Sequence, residues 1–135
     1  MTKRGRPSAA SLITIPSPLE TVARIRPPHD LHDEEVEVWV SVVESEPADW
    51  FSPATVPLLT QYCRHVVHAR RIAELLEKAT SDPTLAIEDY DRLLKMQERE
   101  SRAQASLATK MRLTHQATAN ARGNKKPQAR KPWEG

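Results

Sequence analysis

The stretch Trp50-Phe51-Ser52-Pro53 and the segment from Ala54 to Ala79 behind it decide how the rest of the chain is interpreted. Ser52 followed by Pro53 predicts a helix start, because the hydroxyl can accept hydrogen bonds from free backbone N–H groups and proline has no N–H to satisfy there. After this start, apolar residues recur at steps of three and four, which places them on one face of a helix. They are Leu59, Tyr62, Cys63, Val66, Val67, Ala69, Ala73 and Leu76.

The beginning of this central helix is irregular in the sequence. Pro57 lacks an N–H group and crowds the carbonyl group at position 53. We therefore expect either a distorted first turn or a regular helix that begins nearer position 56. Trp50 and Phe51, just upstream, are large enough to anchor the start of the helix to its neighbours.

A shorter helix is predicted upstream, from Leu31 to about Glu44. Asp30 can cap it, and the acidic residues that follow favour the positive end of the helix dipole. Four valines between positions 36 and 42 also alternate as they would in a strand. We favour the helix, because the cap and the acidic first turn are strong signals and no partner strand is visible elsewhere.

A third helix is predicted after the signal Thr80-Ser81-Asp82-Pro83, running from Pro83 or Leu85 to about His115 or Gln116. Its middle, residues 101–106, offers only small side chains to a partner, so the helix buries little area. A helix of this length with a thin apolar stripe rarely finds enough cover in one small subunit. We infer that it packs against other copies of the chain; the alternative is a freely solvated helix end.

These patterns together predict an all-α fold. Glycine is absent between Arg6 and Arg122, so tight β-hairpins have no easy turn residue there. The predicted architecture is a short first helix and a long antiparallel helical hairpin, which forms oligomers. Its domains are a disordered basic arm (residues 1–28), a helical core (29–116) and a disordered basic tail (117–135). Candidates for the core or for contacts between copies are Trp39, Trp50, Phe51, Leu59, Tyr62, Leu94, Leu107 and Met111.

Charge is strongly partitioned along the chain, although the net charge is only +2. Residues 1–28 carry +4, residues 29–60 carry −8, residues 61–100 carry −1 and residues 101–135 carry +7. Basic ends around an acidic middle indicate a polyanion partner for the ends, or contacts between basic and acidic parts of neighbouring copies. The alternative is that basic tails simply aid solubility.

The N-terminal arm contains a short motif, Lys3-Arg4-Gly5-Arg6-Pro7, that is similar to the Arg-Gly-Arg-Pro core of an AT-hook. Glycine lets the backbone sink into the narrow minor groove of A·T-rich DNA, where the flanking arginines lie along the floor. Lys3, Arg4 and Arg6 are therefore candidate DNA-binding residues. An ordinary basic N-terminus is the alternative, because the match spans only four residues.

Basic residues elsewhere are further candidates for DNA contact. Arg64, Arg70 and Arg71 give the central helix a basic side. They can contact phosphates, or Arg70 can pair with Glu74 and Arg71 with Glu74 or Glu77 at helical spacing. The tail can contact DNA or a protein partner through Arg122, Lys125, Lys126, Arg130 and Lys131, with Trp133 as an anchor.

The sequence contains no recognisable catalytic constellation. Phosphate-binding glycine loops, HExxH and CxxC are all missing, so we expect neither an enzyme nor a cofactor. Cys63, His65 and His68 cluster, but Cys63 is rotated away on a helix. We interpret them as a core cysteine and two surface histidines, with no metal. One cysteine and no long apolar segment predict a soluble, intracellular protein.

Several segments together resemble the small subunit of tailed-bacteriophage terminases. The resemblance covers about residues 27–116 in order and spacing. It rests on Pro27-Pro28-His29-Asp30-Leu31, a helix carrying Trp39, Asp49-Trp50-Phe51-Ser52-Pro53-Ala54, Leu58-Leu59-x-x-Tyr62-Cys63 and Leu107-Ala108-x-Lys110-x-Arg112-Leu113-Thr114, with the Arg-Gly-Arg-Pro start.

This resemblance implies a non-catalytic factor for DNA packaging in the host cell cytoplasm. Small terminases form rings, recognise the packaging site of double-stranded viral DNA, and recruit and regulate a large subunit that holds the ATPase and nuclease. Several of them carry an N-terminal helix-turn-helix, whereas the first helix here is acidic and suits phosphates poorly. DNA contact is therefore expected from the arm and the central arginines, and large-subunit or second DNA contact from the tail. The alternatives are an AT-hook DNA-architectural protein and a helical adaptor that binds no DNA.

Overall fold

A computed structural model describes residues 23–123 of the 135-residue chain. Within this range the fold is all-helical, which confirms the predicted fold class. The elements are α1 (Asp33–Glu44), a 3-10 turn (Pro53–Thr55), α2 (Val56–Thr80), α3 (Ile87–Lys110) and α4 (His115–Gly123). None of these helices combines the length and apolar character needed to cross a membrane.

The first helix, α1, confirms the choice of helix over strand but begins two residues later than predicted. Asp30 is not its cap, which corrects the sequence interpretation. The backbone N–H of His32 instead donates to Glu35 Oε1 at 2.9 Å, the reciprocal half of a capping box. Asp30 is left on the preceding turn, where its carboxylate is free to meet another element.

Helix α2 begins at Val56, as Pro57 predicts. The 3-10 turn at Pro53–Thr55 absorbs the irregular geometry, and Pro57 lies in the first turn of the helix, where a missing N–H costs nothing. The predicted apolar face is buried from Leu59 to Val67 and partly buried at Ala69, and Ile72, which was not predicted, is buried as well. Beyond that point Ala73 and Leu75 are exposed and Leu76 is only partly buried, so the second half of α2 is thinly covered within the described chain.

The core lies where α1 packs against both α2 and α4. Trp39, Leu59 and Tyr62 are almost fully buried there, with Phe51 and Met111 close behind. Of the other three predicted residues, Leu107 is partly buried against this core, whereas Trp50 and Leu94 are exposed. The predicted set therefore divides into core residues and residues that remain exposed.

Helix α3 stops at Lys110, five or six residues before the predicted end at about His115 or Gln116. The N–H groups of Arg112 and Leu113 donate to the carbonyl groups of Thr109 and Ala108, both at 3.0 Å, which is the Schellman pattern of a helix end. Arg112 takes the left-handed conformation (φ 56°) that this pattern needs. Glycine normally marks such an end, so its absence hid the stop from sequence reasoning.

Replacing Arg112 with glycine is expected to stabilise the protein by about 0.5–1 kcal/mol, because glycine adopts the left-handed conformation without a Cβ clash. The free energy of unfolding in urea, at fixed protein concentration, measures this. Arg112→Ala is the matched control, since it removes the same charge and keeps the Cβ. Equal stability of the two variants would show that the left-handed backbone carries no penalty here.

The helical core continues past the predicted boundary at residue 116. Thr114 caps α4, its hydroxyl accepting from the N–H of Ala117 at 3.1 Å, and its own N–H donates to buried Glu46 at 2.7 Å. Ala117 and Ala121 are buried against α1. The prediction of disorder is thus wrong for residues 117–123, because two alanines one turn apart suffice for close packing even though the segment looks polar.

The core also begins before the predicted boundary at residue 29. Arg24 donates to the carbonyl groups of Val43 and Glu46, each at 2.6 Å, and so satisfies the C-terminal end of α1. Trp39 Nε1 donates to the carbonyl group of Ile25 at 3.3 Å. Residues 23–28 are therefore held on the core, which corrects the prediction of disorder there. The predicted arm and tail otherwise lie outside the described residues.

Candidate functional site

Two of the three arginines that α2 was expected to offer to DNA are paired with acids near α1. Arg64 Nη2 lies 2.9 Å from Asp30 Oδ2, and Arg71 Nη2 lies 3.5 Å from Glu34 Oε1. The partners are therefore not the ones considered on α2 itself. Exposed pairs of this kind contribute only about 0–1 kcal/mol. The two pairs offset positive charge on this side of α2 but add little to the stability of the fold.

Arg70 has a different role, because it fastens α4 to α2. Its Nη2 donates to the carbonyl group of Ala121 at 2.8 Å, near the C-terminal end of α4 where carbonyl groups lack helical partners. The next residue, Arg122, is exposed and lies close enough to influence Tyr62. Burial raises the pKa of the Tyr62 hydroxyl above its ordinary value, and Arg122 partly opposes that rise.

A groove of about 480 Å³ opens between α2 and α3. Small residues on the facing sides of the helices, Ala69, Ala73 and Ser101, leave this space. Val66 and Leu94 add apolar surface, and Arg70, Glu98 and Arg122 add charge. The groove lining therefore mixes apolar with charged and polar side chains of both signs, as protein–protein contacts do.

Most of the uncovered apolar surface lies at one end of the two long helices. Gln104 is the one residue of α3 that is buried. Ile87 is 77% exposed, and Leu94, Met96 and Leu75 of α2 are exposed as well. This agrees with the thin stripe seen in the sequence: α3 packs against α2 but leaves its own large side chains in contact with solvent.

The described residues carry a net negative charge. Residues 23–123 hold thirteen Lys and Arg against sixteen Asp and Glu, a net charge of −3. The remaining positive charge lies outside the described residues, and with it most of the predicted DNA contacts. These residues are Lys3, Arg4, Arg6, Lys125, Lys126, Arg130 and Lys131, together with the predicted anchor Trp133.

A compact polar cluster, whose residues do not line the groove, joins the two long helices. His65 and His68 of α2 both approach one carboxylate oxygen of Glu100 on α3, at 2.6 and 3.6 Å. Sequence reasoning noted the histidines but missed Glu100, which is 35 residues from His65 and became their neighbour only through helix packing. No residue three or four positions from His65 or His68 on α2 is acidic. This was the only feature of the sequence that hinted at a partner from another element.

Cys63 takes no part in this cluster, as its rotation on the helix predicts. It is fully buried in the core. Burial, reinforced by the nearby Glu35 carboxylate, raises the pKa of the Cys63 thiol to about 12. The thiol is therefore protonated at neutral pH and serves as a small apolar core residue rather than a nucleophile.

The arrangement offers a helical core with uncovered apolar surface, neutralised arginines and one histidine–carboxylate cluster. No nucleophile–base pair is assembled among the residues that the structure describes. Comparison of the chain with protein-family models, with curated proteins and with solved structures found no match.

Proposed function

We propose that this chain is a small terminase subunit: an oligomeric, non-catalytic factor that binds viral DNA and recruits and regulates the large terminase subunit, with its ATPase and nuclease, during genome packaging. The observation that carries the proposal is the uncovered apolar surface of α3 in a chain whose excess positive charge lies at its two ends. The segments quoted above for the resemblance support it as well. The proposed site of action is the host cell cytoplasm.

In this proposal α2 and α3 form the antiparallel hairpin through which copies assemble into a ring. A link of residues 81–86 joins the helices, and His65 near the middle of one meets Glu100 near the middle of the other. Ile87, Leu94 and Met96 then pack against the neighbouring copy, which removes their apolar surface from water. Acidic side chains of α1 in one copy and basic side chains of the next add charge complementarity.

The proposed DNA contacts lie at the ends of the chain rather than on α2. Arg64 and Arg71 already face carboxylates, so phosphates must compete with Asp30 and Glu34 for them. The arm and the tail carry cations in excess of acids. In a ring, many such ends act on one duplex at once, which raises the affinity through effective concentration.

The pairing of Arg64 and Arg71 favours a second candidate, a helical adaptor that uses its groove and apolar surface for proteins and does not bind DNA. Affinity for duplex DNA distinguishes the two. A packaging subunit is expected to bind more weakly as salt rises, with a linear slope of log affinity against log salt. An adaptor is expected to show neither binding nor slope.

Assembly is tested by native mass spectrometry. The wild-type chain is expected to form a closed ring of many copies, and Leu94→Lys is expected to shift it to monomers or small species at micromolar concentration, because a charge enters the proposed interface. Val40→Lys is the matched control, since Val40 of α1 is 40% exposed against 41% for Leu94.

Two results would contradict the proposed assembly. A wild-type chain that stays monomeric or dimeric at all concentrations would remove the ring and favour an AT-hook architectural protein or an adaptor. Equal dissociation of the Val40→Lys and Leu94→Lys variants would place the interface somewhere other than α3.

A further inference from the structure

The cluster of His65, His68 and Glu100 has the composition and spacing of a metal-binding site. One ligand atom from each residue lies within 4.8 Å of the other two. The two histidines are one helical turn apart on α2, so their imidazoles share a face, with ring centroids 6.1 Å apart and planes at 88°. Glu100 reaches them from α3, so the set bridges two helices.

The two distances from Glu100 to the histidines can be compared with those that a tetrahedral ion requires. Zinc binds histidine nitrogen and carboxylate oxygen at about 2.0–2.2 Å, which places neighbouring ligand atoms about 3.3–3.6 Å apart. The distance from His68 Nδ1 to Glu100 Oε1 is 3.6 Å, and that from His65 Nδ1 is 2.6 Å. The shorter distance is that of a hydrogen bond, and it would open by less than about 1 Å when an ion replaces the proton between the two atoms.

The surroundings also suit an ion. The Glu100 side chain is only 16% exposed, so its carboxylate is held in place rather than moving freely in solvent. His68 is 52% exposed, which leaves a path for the ion and room for water at a fourth position. A donor set of two imidazoles and one carboxylate favours zinc and other divalent transition metals, whereas magnesium and calcium favour sites made of oxygen ligands alone.

We propose that His65, His68 and Glu100 form a binding site for a divalent transition metal of the zinc class, which clamps α2 to α3. The ion would replace the proton shared by His65 and Glu100 and draw His68 into the same contact. Because the second half of α2 and the first half of α3 have little apolar packing of their own, such a clamp would fix their spacing. This inference does not depend on the terminase proposal.

The test uses the full chain, freed of metal with a chelator that is then removed, and titrated with Zn²⁺ by calorimetry at pH 7.5. One ion per chain is expected, together with a rise in melting temperature that grows with the zinc concentration. Co²⁺ in place of zinc is expected to give the visible absorption of a tetrahedral nitrogen–oxygen site.

Three variants localise the binding. His65→Gln, His68→Gln and Glu100→Gln are each expected to weaken zinc binding at least tenfold, and Glu100→Gln keeps a hydrogen-bonding partner for His65 so that folding is preserved. His115→Gln, an exposed histidine on α4, is the matched control and is expected to bind as the wild type does. Circular dichroism of each variant confirms its helical content.

Two outcomes would overturn the proposal. The first is a wild-type chain that takes up no zinc at concentrations below a millimolar, which would leave His65 and Glu100 as a simple hydrogen-bonded pair. The second is equal zinc binding by the wild type and by the Glu100→Gln and His68→Gln variants, which would place the ion elsewhere on the chain.

Discussion

Trp39→Ala is expected to lower the free energy of unfolding by about 3–5 kcal/mol, as truncation of a fully buried tryptophan does. Trp39 is 1% exposed and lies between the elements that pack on α1. Its removal leaves a large cavity and also deprives the carbonyl group of Ile25 of the Nε1 donor. A loss of this size is a large share of the total stability of a small domain.

Trp50→Ala is the matched control for this prediction. Trp50 also donates through Nε1 to a backbone carbonyl group, that of Met111 at 3.2 Å, but it is 39% exposed. Its truncation is expected to cost about 1–2 kcal/mol, since it loses a hydrogen bond and a smaller buried area. Urea unfolding at one fixed protomer concentration measures both variants, because assembly adds to apparent stability. Equal losses would contradict the placement of Trp39 at the centre of the core.

Neutralising the basic ends is expected to weaken binding to double-stranded DNA by at least about 100-fold at 0.1 M salt. The variant changes seven cations to alanine: Lys3, Arg4, Arg6, Lys125, Lys126, Arg130 and Lys131. Each lost phosphate contact reduces the slope of log affinity against log salt by about 0.9, so the slope would fall by as much as about six. Fluorescence anisotropy over a salt series measures both quantities.

The double variant Arg64→Ala with Arg71→Ala is the control for this experiment. These arginines already pair with acids of the same chain, so their loss is expected to change the slope by less than about one. Deleting residues 1–7 separates the AT-hook motif from the tail, and it is expected to weaken binding to A·T-rich duplexes more than to G·C-rich ones. If the salt slope of DNA affinity is unchanged in the seven-cation variant but disappears in the Arg64→Ala and Arg71→Ala double variant, the DNA contact lies on α2.

Helix content was predictable because it is a local property. The start signal at Ser52 and Pro53, which opens the 3-10 turn before α2, the proline at position 57 and the three- and four-residue spacing of apolar residues all lie within a few positions of the structure they determine. The stop at Arg112 was not predictable for the opposite reason. A non-glycine residue takes a left-handed conformation there, so the sequence carries no mark of it.

The limits of the core were also misjudged from the sequence. Ala117 and Ala121 look unremarkable in a polar, basic segment, yet they pack closely against α1. Arg24 looks like part of a basic arm, yet it satisfies carbonyl groups at the end of α1. Whether a small residue or a hydrogen-bond donor belongs to the core depends on the surface that it contacts, and the local sequence does not show that surface.

By itself, the sequence determined that the chain is helical, where its central helix begins, which face of that helix is apolar, and how charge is divided between its middle and its ends. Only the tertiary structure decided which acids meet Arg64 and Arg71, that α4 completes the core, and that Glu100 joins His65 and His68. The physical reason is distance along the chain. Helix periodicity and caps arise between residues a few positions apart, whereas a charge pair or a ligand cluster forms between residues more than thirty positions apart, brought together by packing.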